Sequence, residues 1–284
     1  MASDALVQAR VAVVGHTEWV DFAVVPRLPH PGEILHAGEF WAEAAGGGAV
    51  AAVQMAKLTG SSRFVTALAQ DDLGRRTAEE LERRGVTVHA APRGGAQRRG
   101  FVYLDDEGER TITILGDRLV PHGDDPLPWE ALDGVDGVYF TGGDPAALRA
   151  VRKHVSVIVA TPRADRALLD AGVPVDVLVH SGADADEELD PDKLDPPPRT
   201  VVTTLGGKGG RWDGEHGSGT WKSLPLPGPR VDAYGAGDSF AAGITTGLAA
   251  GMSIADAIRL GSRCGAANMT GRGPYAGQLD LRGS

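Results

Sequence analysis

Near the C-terminal end the chain reads Val-Asp-Ala-Tyr-Gly-Ala-Gly-Asp-Ser-Phe-Ala-Ala-Gly, from Val231 to Gly243. Phe240, Ile244 and Leu248 recur at helical spacing among alanines, which predicts a helix. Gly235 and Gly237 favour a turn ahead of it, because glycine adopts special backbone angles without steric cost. A glycine turn opening a helix leaves several backbone N–H groups unpaired and pointing one way. That setting favours an anion, phosphate above all. Asp238 stands at the same place, where a bound phosphate would meet a like charge. The purely structural reading makes the aspartate a helix cap.

Other chemical signatures are incomplete. Gly206 to Gly210 read Gly-Gly-Lys-Gly-Gly, but no Ser or Thr follows Lys208 and the upstream glycine spacing departs from a P-loop. Gly46, Gly47 and Gly48 do not form G-x-G-x-x-G, which argues against a dinucleotide site. No histidine pair has metallopeptidase spacing, and no Cys-x-x-Cys exists. His216 to Thr220 (HGSGT) lacks the strand–elbow–helix context of a serine nucleophile.

These residues must be positioned by an α/β framework. The 284 residues are 42% hydrophobic, enough for a packed core, and the formal net charge of −10 argues against a nucleic-acid partner. The single cysteine, Cys264, excludes an intrachain disulfide and reads as a small core residue. No apolar run reaches the length of a membrane span, and the first residues lack a signal pattern; the expectation is a cytoplasmic protein. Arg10 to Gly15 predict a short apolar strand, and Asp21 to Ala42 predict two strands around a Pro/Gly turn. Ala49 to Leu58 form an apolar helical run, followed by a strand in Arg63 to Ala69 and an amphipathic helix closed by Gly85. Gly100 to Leu115 alternate around an acidic turn, as a hairpin does. Four further apolar runs end at Gly, Pro or Ser, which implies a mostly parallel sheet covered on both faces. In such sheets ligands bind beyond the C-terminal strand ends, where Gly15, Gly142, Ser181, Gly206 and the Gly235 turn would gather.

Taken in order, the motifs resemble those of the PfkB (ribokinase-like) sugar and nucleoside kinases. Asp232 to Asp238 (DAYGAGD) resembles the family's C-terminal signature, and AGGGAVAAVQMAKLTG its N-terminal glycine signature. RLPHPGE, DDLGRRTAEELERRGV, RRGFVYLDDEGERTI and TTLGGKGG resemble its early turn, its D-x-x-G helix, its lid hairpin and its nucleotide loop. The resemblance implies one ribokinase-like kinase domain over residues 1–284, a three-layer α/β/α sandwich with a small β lid from about 17–42 and 96–116. It implies ATP-dependent phosphorylation of a sugar or nucleoside hydroxyl, with Asp238 as general base and Gly235, Ala236 and Gly237 as the anion hole. Thr204, Leu205, Gly206, Gly207, Lys208 and Gly209 would pass beneath ATP. Asp184 would help organise Mg²⁺, although the family's N-x-x-E reads Ser-Gly-Ala-Asp here. Asp232, Tyr234, Asn268, Gly271 and Gly273 stand where a monovalent cation, K⁺ for instance, is held largely by backbone carbonyls. Lids of this family often pair, so a homodimer through the lid is expected.

The departures lie on the substrate side. Gly46, Gly47 and Gly48 would line that side without side chains, and Gly47 replaces a lysine found in some relatives. Val50 stands where the family carries a hydroxyl-reading asparagine. The family's sugar-binding aspartate corresponds to Asp21 or Glu18, because the segment after Gly15 is longer by one residue. With Trp19 and Phe22 nearby, the substrate expected is a nucleoside or modified sugar rather than plain ribose or fructose, and Val50→Asn is expected to improve turnover of plain sugars. The competing reading is a catalytically weak protein of the same fold that binds a metabolite or nucleotide for regulation.

Overall fold

A computed structural model describes residues 2–105, 109–184, 187 and 189–281. Helix α1 (Ala2–Gln8) leads into β1 (Val11–Val14), four valine-rich residues that are all buried. The chain then leaves the main sheet for β2 (Glu18–Val24) and β3 (Glu39–Ala45). It returns through α2 (Gly47–Thr59), β4 (Ser62–Ala69), α3 (Asp72–Arg83) and β5 (Val86–Arg93). A second excursion makes β6 (Arg99–Leu104) and β7 (Arg110–Leu115). Then follow β8 (Gly137–Phe140), α4 (Pro145–His154), β9 (Val157–Ala160), α5 (Asp165–Asp170), β10 (Val177–Ser181) and β11 (Thr200–Thr204). A hairpin of β12 (Gly210–Gly214) and β13 (Gly217–Trp221) precedes α6 (Ala236–Ala249) and α7 (Ile254–Asn268).

The main sheet runs β13-β12-β11-β10-β9-β8-β1-β4-β5, parallel from β11 to β5. Strand alternation divides its core into two layers. Val11, Val13 and Val159 pack with α2 and α6 on one face. Ala12, Val14, Val138, Phe140 and Ile158 pack with α4 on the other. The result is the three-layer sandwich expected of the motif order. The sequence pattern does not announce β12 and β13, whose glycines at 210, 214, 217 and 219 interrupt any apolar alternation.

The two excursions form a separate sheet, β3-β2-β6-β7, in which β2 pairs antiparallel with β3 and parallel with β6. The hairpin expected at Gly100 to Leu115 is β6 and β7, and its turn at 106–108 lies outside the described residues. The Pro/Gly turn expected between β2 and β3 is a long connection over 25–38. Pro26, Pro29 and Pro31 remove backbone donors there, and an Arg27–Glu33 ion pair at 2.5 Å closes the loop. β3 also continues three residues past the expected limit at 42, to Ala45.

Helices α6 and α7 cross through glycine. A Cβ on Gly243 would stand 2.7 Å from the Gly261 Cα, which is backbone and cannot yield cheaply. Gly243→Ala is therefore expected to destabilise the protein by about 1–3 kcal/mol, seen as a lower Tm in thermal unfolding. An unchanged Tm would show that the crossing has slack.

Candidate active site

Gly235 caps α6 in the left-handed region, φ 79°, and no side chain caps this helix. Asp238 sits in the first turn and its carboxylate accepts no hydrogen bond among the described residues, so it is not a cap. The N–H groups of Gly235, Gly237 and Asp238 are likewise without partners there, whereas Ala236 N turns back to Ala233 O at 3.4 Å. The turn thus presents three free donors beside one free carboxylate. Desolvation pushes the Asp238 carboxyl up to about 6, with Arg163, Arg110 and Arg118 pulling it down and Glu187 pushing it up.

The three early glycines meet this turn. Gly46 (φ 87°) caps α2, and a Cβ on Gly47 would lie 2.7 Å from Asp238 Oδ1. A Cβ on Gly48 would lie 2.5 Å from His16 O. The start of α2 therefore reaches the carboxylate because it carries no side chains. Tyr234 Oη accepts from Gly46 N at 3.2 Å and joins the two turns.

Strand alternation decides between the two early acids. Glu18 shares its face of β2 with Phe22, which meets Tyr234 edge-on at 5.2 Å. Its Cγ would lie 3.1 Å from a Cβ on Gly46, and its carboxylate pairs with Arg98 at 2.8 Å. Asp21 points to the opposite face and pairs with Arg99 at 2.6 Å. The structure brings Glu18 to the turn and leaves Asp21 outside it.

Thr204 ends β11, and after Leu205 a short 3-10 turn (Gly206–Lys208) is closed by Gly209 at φ 89°. Gly206 and Gly207 have open space where a Cβ would stand, a surface a ligand can approach closely. Trp221, opposite Gly210 in the β12–β13 ladder, stacks on Phe240 at 5.9 Å and ties this loop to the start of α6. Asp184 is held by Arg163 at 2.5 Å. Glu187, which the sequence reading passed over, bonds Arg163 Nε at 3.0 Å and Ser181 N at 2.7 Å. Its signal was obscured because it lies six residues beyond Ser181 instead of three.

The residues around Asp232 also come together. Its carboxylate accepts from Tyr234 N at 2.7 Å and Gly273 N at 2.9 Å, and burial raises its pKa. Asn268 bonds Pro274 O through Nδ2, while its buried Oδ1 has no partner. Gly271 N turns back to Asn268 O at 3.3 Å. An orphaned buried oxygen beside a carboxylate is a donor set that fits a monovalent cation.

The pfkB family carbohydrate kinase pattern matches residues 8–165 and 184–280. The chain belongs to that family. Fructoselysine 6-kinase of Escherichia coli K12 is 30% identical over 224 residues, 74% of this chain and 84% of that protein. Inositol 3-kinase of Oryza sativa is 46% identical over 69 residues, 24% of this chain and 16% of that protein. Among solved structures, the Thermotoga maritima ribokinase superposes with a TM-score of 0.77 at 20% identity, covering 96% of this chain and 97% of its own. An Arabidopsis thaliana ribokinase complexed with ribose and ATP gives 0.73 at 20% identity, with 96% of each chain covered. At such identity the structural likeness speaks for the fold, which is ribokinase-like. This pfkB-family chain is a carbohydrate kinase, and no helix among its described residues is long and apolar enough to cross a membrane.

Val50 corrects an expectation. It is fully buried, and its Cγ1 lies 2.7 Å from where a Cβ on Gly235 would stand. It supports the turn from below instead of facing an open sugar site. Val50→Asn is therefore expected to bury an unsatisfied amide, costing about 1–3 kcal/mol, and to lower kcat on any sugar. Higher turnover with an unchanged Tm would restore the original expectation.

Proposed function

We propose that this kinase transfers the γ-phosphoryl group of ATP to a hydroxyl of a small, modified sugar or a nucleoside, with Asp238 as general base. The observation that carries the reading is the unbonded Asp238 carboxylate beside the free N–H groups of Gly235, Gly237 and its own backbone. Asp238 takes the hydroxyl proton as the substrate oxygen attacks phosphorus, and the leaving ADP keeps the β–γ bridging oxygen. The turn N–H groups hold the oxygens of the transferred group, where charge is spread during a metaphosphate-like transfer. Thr204 to Gly209 cradle the nucleotide through close backbone approach. Gly46 to Gly48 and Glu18 line the substrate side, with Glu18 in place of Asp21 as the acid that reads substrate hydroxyls. Asp184 and Glu187 supply hard oxygen donors and would hold Mg²⁺, which would offset charge on the phosphate oxygens. Asp232, Tyr234, Asn268, Gly271 and Gly273 would hold K⁺ behind the turn.

The relatives named for fructoselysine and inositol support a polyol substrate. The separate four-stranded sheet would act as the lid, since Arg110 Nη1 reaches Ala233 O at 3.1 Å, next to the turn. Phe40, Ile112 and Ile114 on this sheet are exposed, which supports a homodimer formed through it.

Asp238→Asn is expected to lower kcat by roughly 10²–10⁴-fold with nucleotide affinity unchanged, measured by ADP release and by calorimetry. Retention of more than about a tenth of wild-type kcat would remove Asp238 from the base role. Because desolvation raises its carboxyl to about 6, protonation removes the base below that pH. The pH profile of kcat/KM should therefore fall on the acid side with an apparent pKa near 6, and a flat profile down to pH about 4 would contradict the assignment.

A further inference from the structure

Arg118 stands out among the poorly exposed arginines. Arg93, Arg98 and Arg152 have 18–19% of their side chains exposed, and each makes a carboxylate ion pair at 2.6–2.8 Å. Arg118 makes no ion pair among the described residues. Its Nη2 meets His16 Nδ1 at 2.9 Å and Thr141 O at 3.3 Å, and its Nη1 meets Arg163 O at 2.6 Å. All three partners are uncharged, because burial and the neighbouring arginines push His16 well below its ordinary range. Nε is buried and bonds nothing. Burial and the nearby Arg98 and Arg163 push the guanidinium down to about 10, so it remains charged at neutral pH. A half-buried cation whose direct hydrogen-bond partners are all neutral carries a desolvation cost, and an arriving anion would relieve it.

Its position says which anion. His16 follows β1 and Thr141 follows β8, two adjacent parallel strands. From β1 the chain goes to β4 on one side, while β8 to β11 lie on the other. The gap between β1 and β8 is therefore the point where the sheet order reverses, the usual crevice for a ligand. The guanidinium Cζ lies 3.9 Å from where a Cβ on Gly142 would stand, which places it against the residue that follows Thr141 at this crevice. The Thr204–Gly209 loop follows β11, three strand positions or roughly 14 Å away at about 4.8 Å per strand. Arg118 acts electrostatically on both Glu18 and Asp238, the two acids at the sugar end of the site.

We propose that Arg118, held by His16 and Thr141 over the ends of β1 and β8, is the receptor for an anionic group carried by the sugar substrate. The group is a carboxylate or phosphate on the part of the substrate away from the reacting hydroxyl, since guanidinium matches the oxygens of either. The inference rests on the kinase reading for the identity of the site as a sugar site.

Calorimetry without nucleotide tests it with matched probes: ribose against ribose 5-phosphate, fructose against fructose 6-phosphate, and glucose against gluconate. At least one anionic member should bind about tenfold or more tighter than its neutral partner, and the pair that responds separates phosphate from carboxylate. Arg118→Gln should erase that preference and Arg118→Lys should keep part of it, with ADP affinity unchanged in both. Equal affinities within every pair, or no anionic probe bound at about 10 mM, would overturn the proposal, and this comparison needs only the wild-type protein. Loss of ADP affinity in Arg118→Gln with the sugar preference intact would assign the cation to the nucleotide and overturn it too. ADP release is read separately. An anionic probe that binds through Arg118 without being phosphorylated would count against the kinase reading, while rapid turnover of neutral sugars with no anion preference would count against this one.

Discussion

Two helices begin within contact distance of one another because glycine occupies both starts. Gly47 brings the N-terminus of α2 against the Asp238 carboxylate, and Gly235 lets Val50 of α2 pack beneath the turn that opens α6. A Cβ at either place would meet a side-chain atom at 2.7 Å and displace the Asp238 carboxylate or Val50. The rest of the site follows from this approach. A carboxylate enclosed by two helix starts loses water, and its proton affinity rises accordingly.

The remainder of the fold serves that junction from several directions. Gly243 and Gly261 allow α7 to lie close on α6, and Trp221 on Phe240 fixes the same helix against the loop after β11. Phe22 stacks on Trp41 at 4.8 Å and meets Tyr234 edge-on, so the second sheet is seated on the turn by aromatic contact. Ion pairs at its margin, Arg230 with Glu109 and Arg272 with Glu39, are exposed and contribute little individually. Aromatic packing and the Tyr234 hydrogen bond are the stronger ties.

Charge in the site is arranged unevenly. Arg98 and Arg163 have carboxylate partners and serve to orient Glu18, Asp184 and Glu187. Arg118 has no ion-pair partner among the described residues, and its field falls on Glu18 and Asp238. Three guanidinium groups gathered at the strand ends suit a reaction whose reactants carry phosphate, in a chain whose overall charge is −10.

Much of the framework was legible in the sequence because its signals are local. Apolar runs ending at Gly, Pro or Ser became β1, β8, β9, β10 and β11, and the Phe240–Ile244–Leu248 spacing became α6. The glycine turn with Asp238 was legible for the same reason, since positive φ and a helix start are properties of a few adjacent residues. What the tertiary structure decided depends on residues distant in the chain. Whether Glu18 or Asp21 faces the turn depends on the phase of β2 against β6, some eighty positions later. Val50 reads as a substrate position until Gly235 is seen above it. Arg118 looks like any surface arginine in a loop, and only the convergence of His16, Thr141 and Arg163 around it, with no carboxylate bonded to it among the described residues, reveals a half-buried charge without an ion-pair partner. Such facts arise from which side chains fail to meet, and a linear pattern carries no record of that.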